Sequence, residues 1–245
     1  MNPYHQLLIA NKATVGRKFE ISAKADAEEV DIYLYDAIVS DESEAEFWGG
    51  VAPGPFVKAL SSIKSPTINL RINSPGGSVF AARAIETALR EHKSTIKVHI
   101  DGIAASAATF VAMAGDEIVM SQGALFMIHN AWSVAFGNAA DMRQTADLLD
   151  KIDGTLVQTY AQRTKQEETA IKDWMAAETW FTSDEAVAAG FADRIADSAA
   201  KAQAAWNLSA YAKAPKPEPA PAALQPRSID ASAYLRKLAA QALTA

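Results

Sequence analysis

Residues 102–110 read GIAASAATF, so the hydroxyl of Ser106 is flanked by Ala104, Ala105, Ala107 and Ala108, none with the bulk to exclude a peptide or acyl group. The stretch follows a strand-like run and opens a helical one. A serine placed there emerges at a sheet edge beside the first free N–H groups of a helix, which suits both a nucleophile and a developing oxyanion. The same position also suits a serine that only caps a helix. A general base would separate the two, and the histidines are His5, His92, His99 and His129. His5 lies in a ragged-looking N-terminal stretch, His92 follows a helix among charges, and His99 alternates within a strand. His129 ends the apolar run ALFMIHN where the chain turns, and is the candidate base. An orienting carboxylate completes such a set. Glu178, directly before the aromatic TWF, can reach inward from a strand start and is preferred; Asp173, earlier on a helix, is the alternative acid.

A second stretch, INSPGGSVF (72–80), sets Pro75, Gly76 and Gly77 between a strand and a helix. A glycine pair there uncovers backbone amides and permits positive φ, as a site receiving an oxyanion or an extended substrate strand requires. It equally makes a tight turn with Ser78 as helix cap. It is no phosphate loop, because the lysine of GxxxxGK[ST] is missing, and it is not GxGxxG.

The elements that must position these residues alternate. VDIYLYDAI (30–38) and TINLRIN (67–73) read as strands. Residues 78–92 carry Val79, Ala82, Ile85 and Leu89 on one helical face, and TIKVHID (95–101) returns as a strand. That is βαβ logic with parallel strands and a right-handed crossover. A helix over 106–115 and strands over 116–121 and 124–130 follow. From 139 to 164, Met142, Ala146, Leu149, Ile152, Leu156 and Tyr160 recur at steps of three and four, the mark of a long amphipathic helix. A helix over 166–177 and another over 183–190, closed by Gly190, complete an α/β domain over 1–197, whose first 16 or so residues look ragged.

The rest of the chain is different. Residues 213–226, KAPKPEPAPAALQP, hold five of the ten prolines, so 198–226 reads as an Ala/Pro-rich, semi-rigid linker. Residues 227–245 read as a short helix, with Ser228 or Asp230 as cap and Ile229, Tyr234, Leu235, Leu238 and Leu243 apolar, or as a disordered tail. A formal charge of −6 spread over mixed acids and bases gives no footprint for nucleic acid. With no cysteine there is no disulfide, thiolate nucleophile or Cys-type zinc site. No stretch has the length of a membrane span and the N-terminus lacks a signal-peptide pattern, so no membrane partner and a cytoplasmic location are expected.

With these residues in hand the chain resembles the ClpP-type serine peptidases, most nearly the ClpP-related head maturation (prohead) proteases of tailed bacteriophages. The resemblance lies in four ordered motifs, INSPGGSV, HIDGIAASAATFVAMAGDEIVM, ALFMIHNAW and ETWFTSDEAVAAGFAD, spread over residues 30–197. It implies a crotonase-like spiral of ββα units with a protruding handle helix over 139–164. It implies Ser106 as nucleophile, His129 as base, and the amides of Gly77 and Ala107 as oxyanion donors. It further implies substrate laid along Asn73, Ser74, Pro75, Gly76 and Gly77. The family's third residue is commonly an aspartate where Glu178 stands here. No cofactor or metal is called for. The implied partners are polypeptides, namely capsid or scaffold proteins, and further copies of the chain in a homo-oligomer of stacked rings. The implied location is the bacterial host cytoplasm or the phage procapsid.

Two rivals share the fold. A crotonase-type acyl-CoA enzyme would use the same two amides without a nucleophilic serine, and an assembly or scaffold protein would keep the fold without the chemistry. A Ser-Lys peptidase is disfavoured because no lysine lies between Lys97 and Lys151, and an α/β-hydrolase because GxSxG is absent. No ATP-binding motif is present, so an unfoldase would be a separate chain.

Overall fold

The computed structural model describes residues 3–14, 16–22, 28–197 and 206–215. One sheet dominates. Its continuous path runs β1 (Lys18–Ser22), β2 (Glu29–Tyr35), β3 (Thr67–Ser74), β4 (Thr95–Ala105), β5 (Glu117–Met120) and β8 (Arg194–Ile195), with β6 (Leu125–Ile128) and β7 (Thr179–Thr182) branching from β4. From β2 to β6 the pairings are parallel, whereas β1 against β2 and β7 against β6 are antiparallel. The long strand β4 serves two neighbours in turn: Lys97–Ile100 pair with β5, and Ile103–Ala105 with β6.

Alternation decides which face is core. Ile32, Leu34, Ile68, Leu70, Ile72, Ile96, Val98 and Ile100 are buried on one face, against α4 (Val79–Glu91) and α5 (Ala107–Ala112). The other face is polar, with Arg71 donating to Asp101 at 2.6 Å and Tyr35 to the same carboxylate at 2.5 Å. Each buried Ile or Leu contributes roughly 1.5–3 kcal/mol, so a register slip of one residue, which would turn this set outward, is strongly disfavoured.

The helix expected over 139–164 is α6 (Ala139–Thr164), its start fixed by a reciprocal Asn138–Asp141 capping box and its end by Lys165 in the left-handed conformation. Only its second half is core, through Leu156, Val157 and Tyr160; Met142 and Leu148 in the first half stay exposed. Helix α7 (Glu168–Ala176) and α8 (Ser183–Ala189) follow, and Gly190 takes the expected left-handed C-terminal position. Around Phe191 the rings of Phe126, Tyr160, Trp174 and Phe181 lie with centroids 4.9 to 6.0 Å away. Pairs of this kind add about 0.5–1.5 kcal/mol beyond burial, and this cluster ties α6 and α7 to β6 and β7.

Four elements lack a clear periodic signal and were not anticipated: β1, α2 (Glu42–Trp48), α3 (Pro53–Ser61) and the two-residue β8. The N-terminal stretch is not ragged over residues 3–11, which form α1 (Pro3–Asn11). Its order is tertiary in origin: Leu8 packs with Ala37, Val39 and Ala52, and the Tyr4 hydroxyl donates to Glu44 at 2.8 Å. Residues 206–214, within the expected linker 198–226, belong to the same compact unit as the domain; a second unit begins at Pro215. Trp206, Leu208 and Tyr211 pack on Ile103, Ala105 and Met127, and this apolar burial accounts for the docking. The expected helix or tail over 227–245 and the linker residues 198–205 and 216–226 lie outside the described residues. Among the described residues no helix is long and apolar enough to cross a membrane.

Candidate active site

Three parallel strands end at one edge, where ligands of α/β sheets collect. Strand β3 ends at Ser74 and hands over to Pro75–Gly77; β4 ends at Ala105 and hands over to Ser106; β6 ends at Ile128 and hands over to His129. The β4–β6 register pairs Ala105 with Met127, and the Ser106 amide donates to the Met127 carbonyl at 2.8 Å. The next side chains along the two strands therefore meet: Ser106 Oγ lies 2.7 Å from His129 Nε2.

Ser106 precedes α5 but does not cap it, since its side chain makes no bond to the helix amides. Its backbone is in a region that L-residues rarely enter, φ 53° and ψ −124°. Such conformations cost on the order of 1–3 kcal/mol and persist where surrounding structure imposes them. Here the imposing contacts are visible. The Tyr160 hydroxyl of α6 meets Thr109 Oγ1 at 2.7 Å, and that hydroxyl donates to the Ser106 carbonyl at 2.5 Å.

The glycine pair explains itself against this turn. Gly76 has φ 90°, and a Cβ there would lie 2.4 Å from the Ala105 carbonyl and 2.8 Å from Ser106 Cβ. Gly77 has φ 143°, and a Cβ there would lie 1.9 Å from the Ile38 carbonyl. The loop thus sits against the serine turn with no room for side chains. Ile38 and Ser78 close it with bonds at 2.8 Å, and Ser74 Oγ accepts from Gly76 N at 3.2 Å. The Gly77 amide has no partner among the described residues. Ala107, in the first turn of α5, likewise has no residue four positions back within the helix to accept from its N–H.

His129 is half-buried, and desolvation holds its pKa below the ordinary imidazole value, opposed by the charge of Glu178. Glu178 stands one residue before Thr179, which pairs with Ile128, so the antiparallel β6–β7 register brings it opposite His129. Its φ of 49° is another left-handed, non-glycine backbone. Its carboxylate accepts from Trp180 Nε1 at 3.2 Å, Ala212 N at 3.0 Å and Lys213 N at 2.6 Å; no hydrogen bond joins it to His129 among the described residues. Asp173 is exposed on α7 and makes no contact with His129.

Before Ser106 and His129 opens a cavity of about 350 Å³, walled by Gly77, Val79, Phe80, Trp132, Leu149 and Ile152 among others. It is mostly apolar and fits a hydrophobic side chain beside an extended backbone. The structure brings Ser106, His129, Gly77 and Ala107 to one place. Asn73, Ser74, Pro75 and Gly76 are buried and shape the loop, so of the five residues expected along the substrate only Gly77 faces the cavity. His5 lies tilted beside Trp48, His92 accepts from the Ser94 amide, and His99 faces the polar side of the sheet beside Arg71 and Asp101. The residues missed by the sequence reading are Tyr160, seen there only as a helix-face position, and Tyr211, whose hydroxyl donates to the Pro75 carbonyl. Two aromatics in WNLSAY, just before the prolines, were the available signal.

Comparison with known proteins bears on the family and the fold. The Clp protease family model matches residues 56–199. The ATP-dependent Clp protease proteolytic subunit 1 of Synechococcus sp. is 31% identical over 183 residues, covering 74% of this chain and 89% of that protein. The corresponding subunit of Streptococcus gordonii is 33% identical over 144 residues, covering 57% of this chain and 72% of that one. Among solved structures, a mutant ClpP1 from Listeria monocytogenes aligns with a TM-score of 0.58 at 23% identity, over 68% of this chain and 90% of that one. The fold is therefore ClpP-like, a mixed α/β sheet with flanking helices.

Proposed function

Because the chain belongs to the Clp protease family of serine-type endopeptidases, we propose that Ser106 is its nucleophile, His129 its general base and Glu178 the acid that stabilises the imidazolium. The observation that carries this is the 2.7 Å contact between Ser106 Oγ and His129 Nε2 beside a Gly77 amide that has no partner among the described residues. Neutral His129 Nε2 takes the Ser106 proton as Oγ attacks the peptide carbonyl. The oxyanion receives the N–H groups of Gly77 and Ala107, donors of a kind worth roughly 10²- to 10³-fold each. The imidazolium then protonates the leaving amine, and water, deprotonated by the same base, releases the acyl group from Ser106.

The finer role we propose is cleavage of capsid or scaffold proteins during phage head maturation, in the host cytoplasm or within the procapsid. What supports it is the resemblance of the four ordered motifs to the phage head maturation branch of the family. Self-association into rings is supported by the exposed first half of α6 and by Phe80 and Phe136, 69% and 88% exposed. An acyl-CoA enzyme needs no serine–histidine contact, so this site favours hydrolysis over that rival. The test is to co-express the chain, or Ser106→Ala, with candidate capsid and scaffold proteins and to sequence the new N-termini. New termini with the wild type alone are expected; identical termini from both would overturn the assignment.

A further inference from the structure

Residues 206–213 lie beyond the part of the chain that the family model matches, yet their contacts go to the site. Trp206 Nε1 donates to Asn73 Oδ1 at 3.2 Å, behind the glycine loop. The Tyr211 hydroxyl donates to the Pro75 carbonyl in that loop, and its ring meets the His129 ring edge-on, centroids 5.5 Å apart. The amides of Ala212 and Lys213 bind the Glu178 carboxylate. Asn207 and Asn11 exchange two hydrogen bonds, of 2.7 and 2.9 Å, which moor the segment to α1. One short segment thus touches the ends of β3 and β6 and the start of β7.

Resting on the reading above, we propose that residues 206–213 are a built-in part of the active site, with Tyr211 a positioning residue that fixes the Pro75–Gly77 loop and the His129 imidazole relative to each other. The segment leaves the larger cavity open. None of its residues lines the 350 Å³ cavity, the Gly77 amide has no partner among the described residues, and the Ser106–His129 contact is formed with the segment docked. What it narrows is a second, smaller space at Ser106 and Gly77, about 20 Å³, lined also by Tyr211, Ala210, Tyr4 and Leu7. A loop held through one carbonyl and an imidazole held through its face are the two parts that must stay in register for attack, since misplacement by about 1 Å costs on the order of 10²-fold. The titratable and charged groups around the imidazole are Glu178 at the head of β7, Tyr211 and Lys213 of the segment, and Asp153 of α6, which accepts from the nearby Ala131 amide at 2.7 Å.

The test compares the full-length chain with Tyr211→Phe and Tyr211→Ala. It reads fluorophosphonate labelling of Ser106 against pH, the His129 pKa by NMR titration, and the melting temperature as a check of folding. Tyr211→Phe loses the bond to Pro75 and the interaction of the hydroxyl with the Ser106 side chain, and should label about three- to tenfold more slowly with the His129 pKa unmoved. Tyr211→Ala should label more slowly still and, by exposing the imidazole, raise its pKa toward about 6.5, moving the acid limb up in pH. An unmoved His129 pKa in Tyr211→Ala, or labelling as fast as wild type, overturns the proposal. If wild-type Ser106 fails to label, the nucleophile assignment falls, while the His129 titration still decides the role of Tyr211.

Discussion

His129 and Glu178 face each other one step beyond the last pair of the β6–β7 ladder, yet the carboxylate is bound by Trp180 and by two amides of the C-terminal segment rather than by the imidazole. Glu178 acts on His129 through its charge. That charge raises the imidazole pKa while burial lowers it, and burial dominates. An orienting acid need not touch the base to favour its cation, because in a partly desolvated site a carboxylate a few ångströms away still contributes about 1–2 kcal/mol.

The first prediction concerns pH. A depressed His129 pKa keeps the base neutral below the ordinary imidazole range, so the acid limb of peptidase activity should lie below pH ~6.5. Glu178→Gln removes the raising influence and should move that limb further down, while the plateau rate falls roughly ten- to thirtyfold. Asp173→Asn should change neither. The pH–rate profiles of the two variants identify the acid: a fall with Asp173→Asn and none with Glu178→Gln would reverse the choice. Because the unfolded chain binds the His129 proton more readily than the folded one, this residue's contribution to stability should decline as pH drops below about 6.5.

Ser106 should show an inverted order of substitution. Ser106→Ala and Ser106→Gly both lose the proposed nucleophile and should be inactive. At φ 53°, however, glycine is less strained than alanine. Ser106→Gly is expected to be more stable than Ser106→Ala by about 1 kcal/mol, or roughly 2–4 °C in Tm for a domain of this size. Calorimetry of the two proteins checks this; the usual order, with alanine the more stable, would mean the turn is not imposed by its surroundings.

Gly76→Ala should separate folding from catalysis. Its Cβ would meet the Ala105 carbonyl at 2.4 Å and Ser106 Cβ at 2.8 Å, so the serine turn or the loop must shift. We expect a folded protein whose labelling rate falls at least about 10²-fold. A circular-dichroism melt beside a labelling time course distinguishes this from global unfolding.

Tyr160→Phe tests the support under the proposed nucleophile. It deletes the hydroxyl that meets Thr109 and, through it, the Ser106 carbonyl. Loss of one buried hydrogen bond should destabilise the protein by about 1 kcal/mol and slow labelling several-fold. Urea unfolding and labelling measured together check both parts.

The cavity wall sets the last expectation. Leu149→Asp places a charge in the apolar space before Ser106, and should raise KM for peptides bearing a large hydrophobic residue at the cleaved bond. The rate of phosphonate labelling, which does not use that space, should be nearly unchanged. A kinetic comparison of hydrophobic and small-residue peptides reads the difference.

Much of this was legible in the residues themselves, because the informative signals are local. A hydroxyl among alanines, a histidine closing an apolar strand, a Pro-Gly-Gly turn and a periodic run over 139–164 each follow from side-chain size and spacing, and together they set out an α/β domain with a serine–histidine site. Tertiary structure alone decided the rest. Which face of the sheet is core, the order of α1, the contact between Ser106 and His129, and the use of the Glu178 carboxylate by the amides of Ala212 and Lys213 all depend on residues far apart in the chain. Backbone amides carry no sequence signature, so no inspection of residues 206–213 could have assigned them to Glu178. The prolines that follow drew that segment into a linker, and the burial of Trp206 and Tyr211 against Met127 and Trp180 placed it on the site.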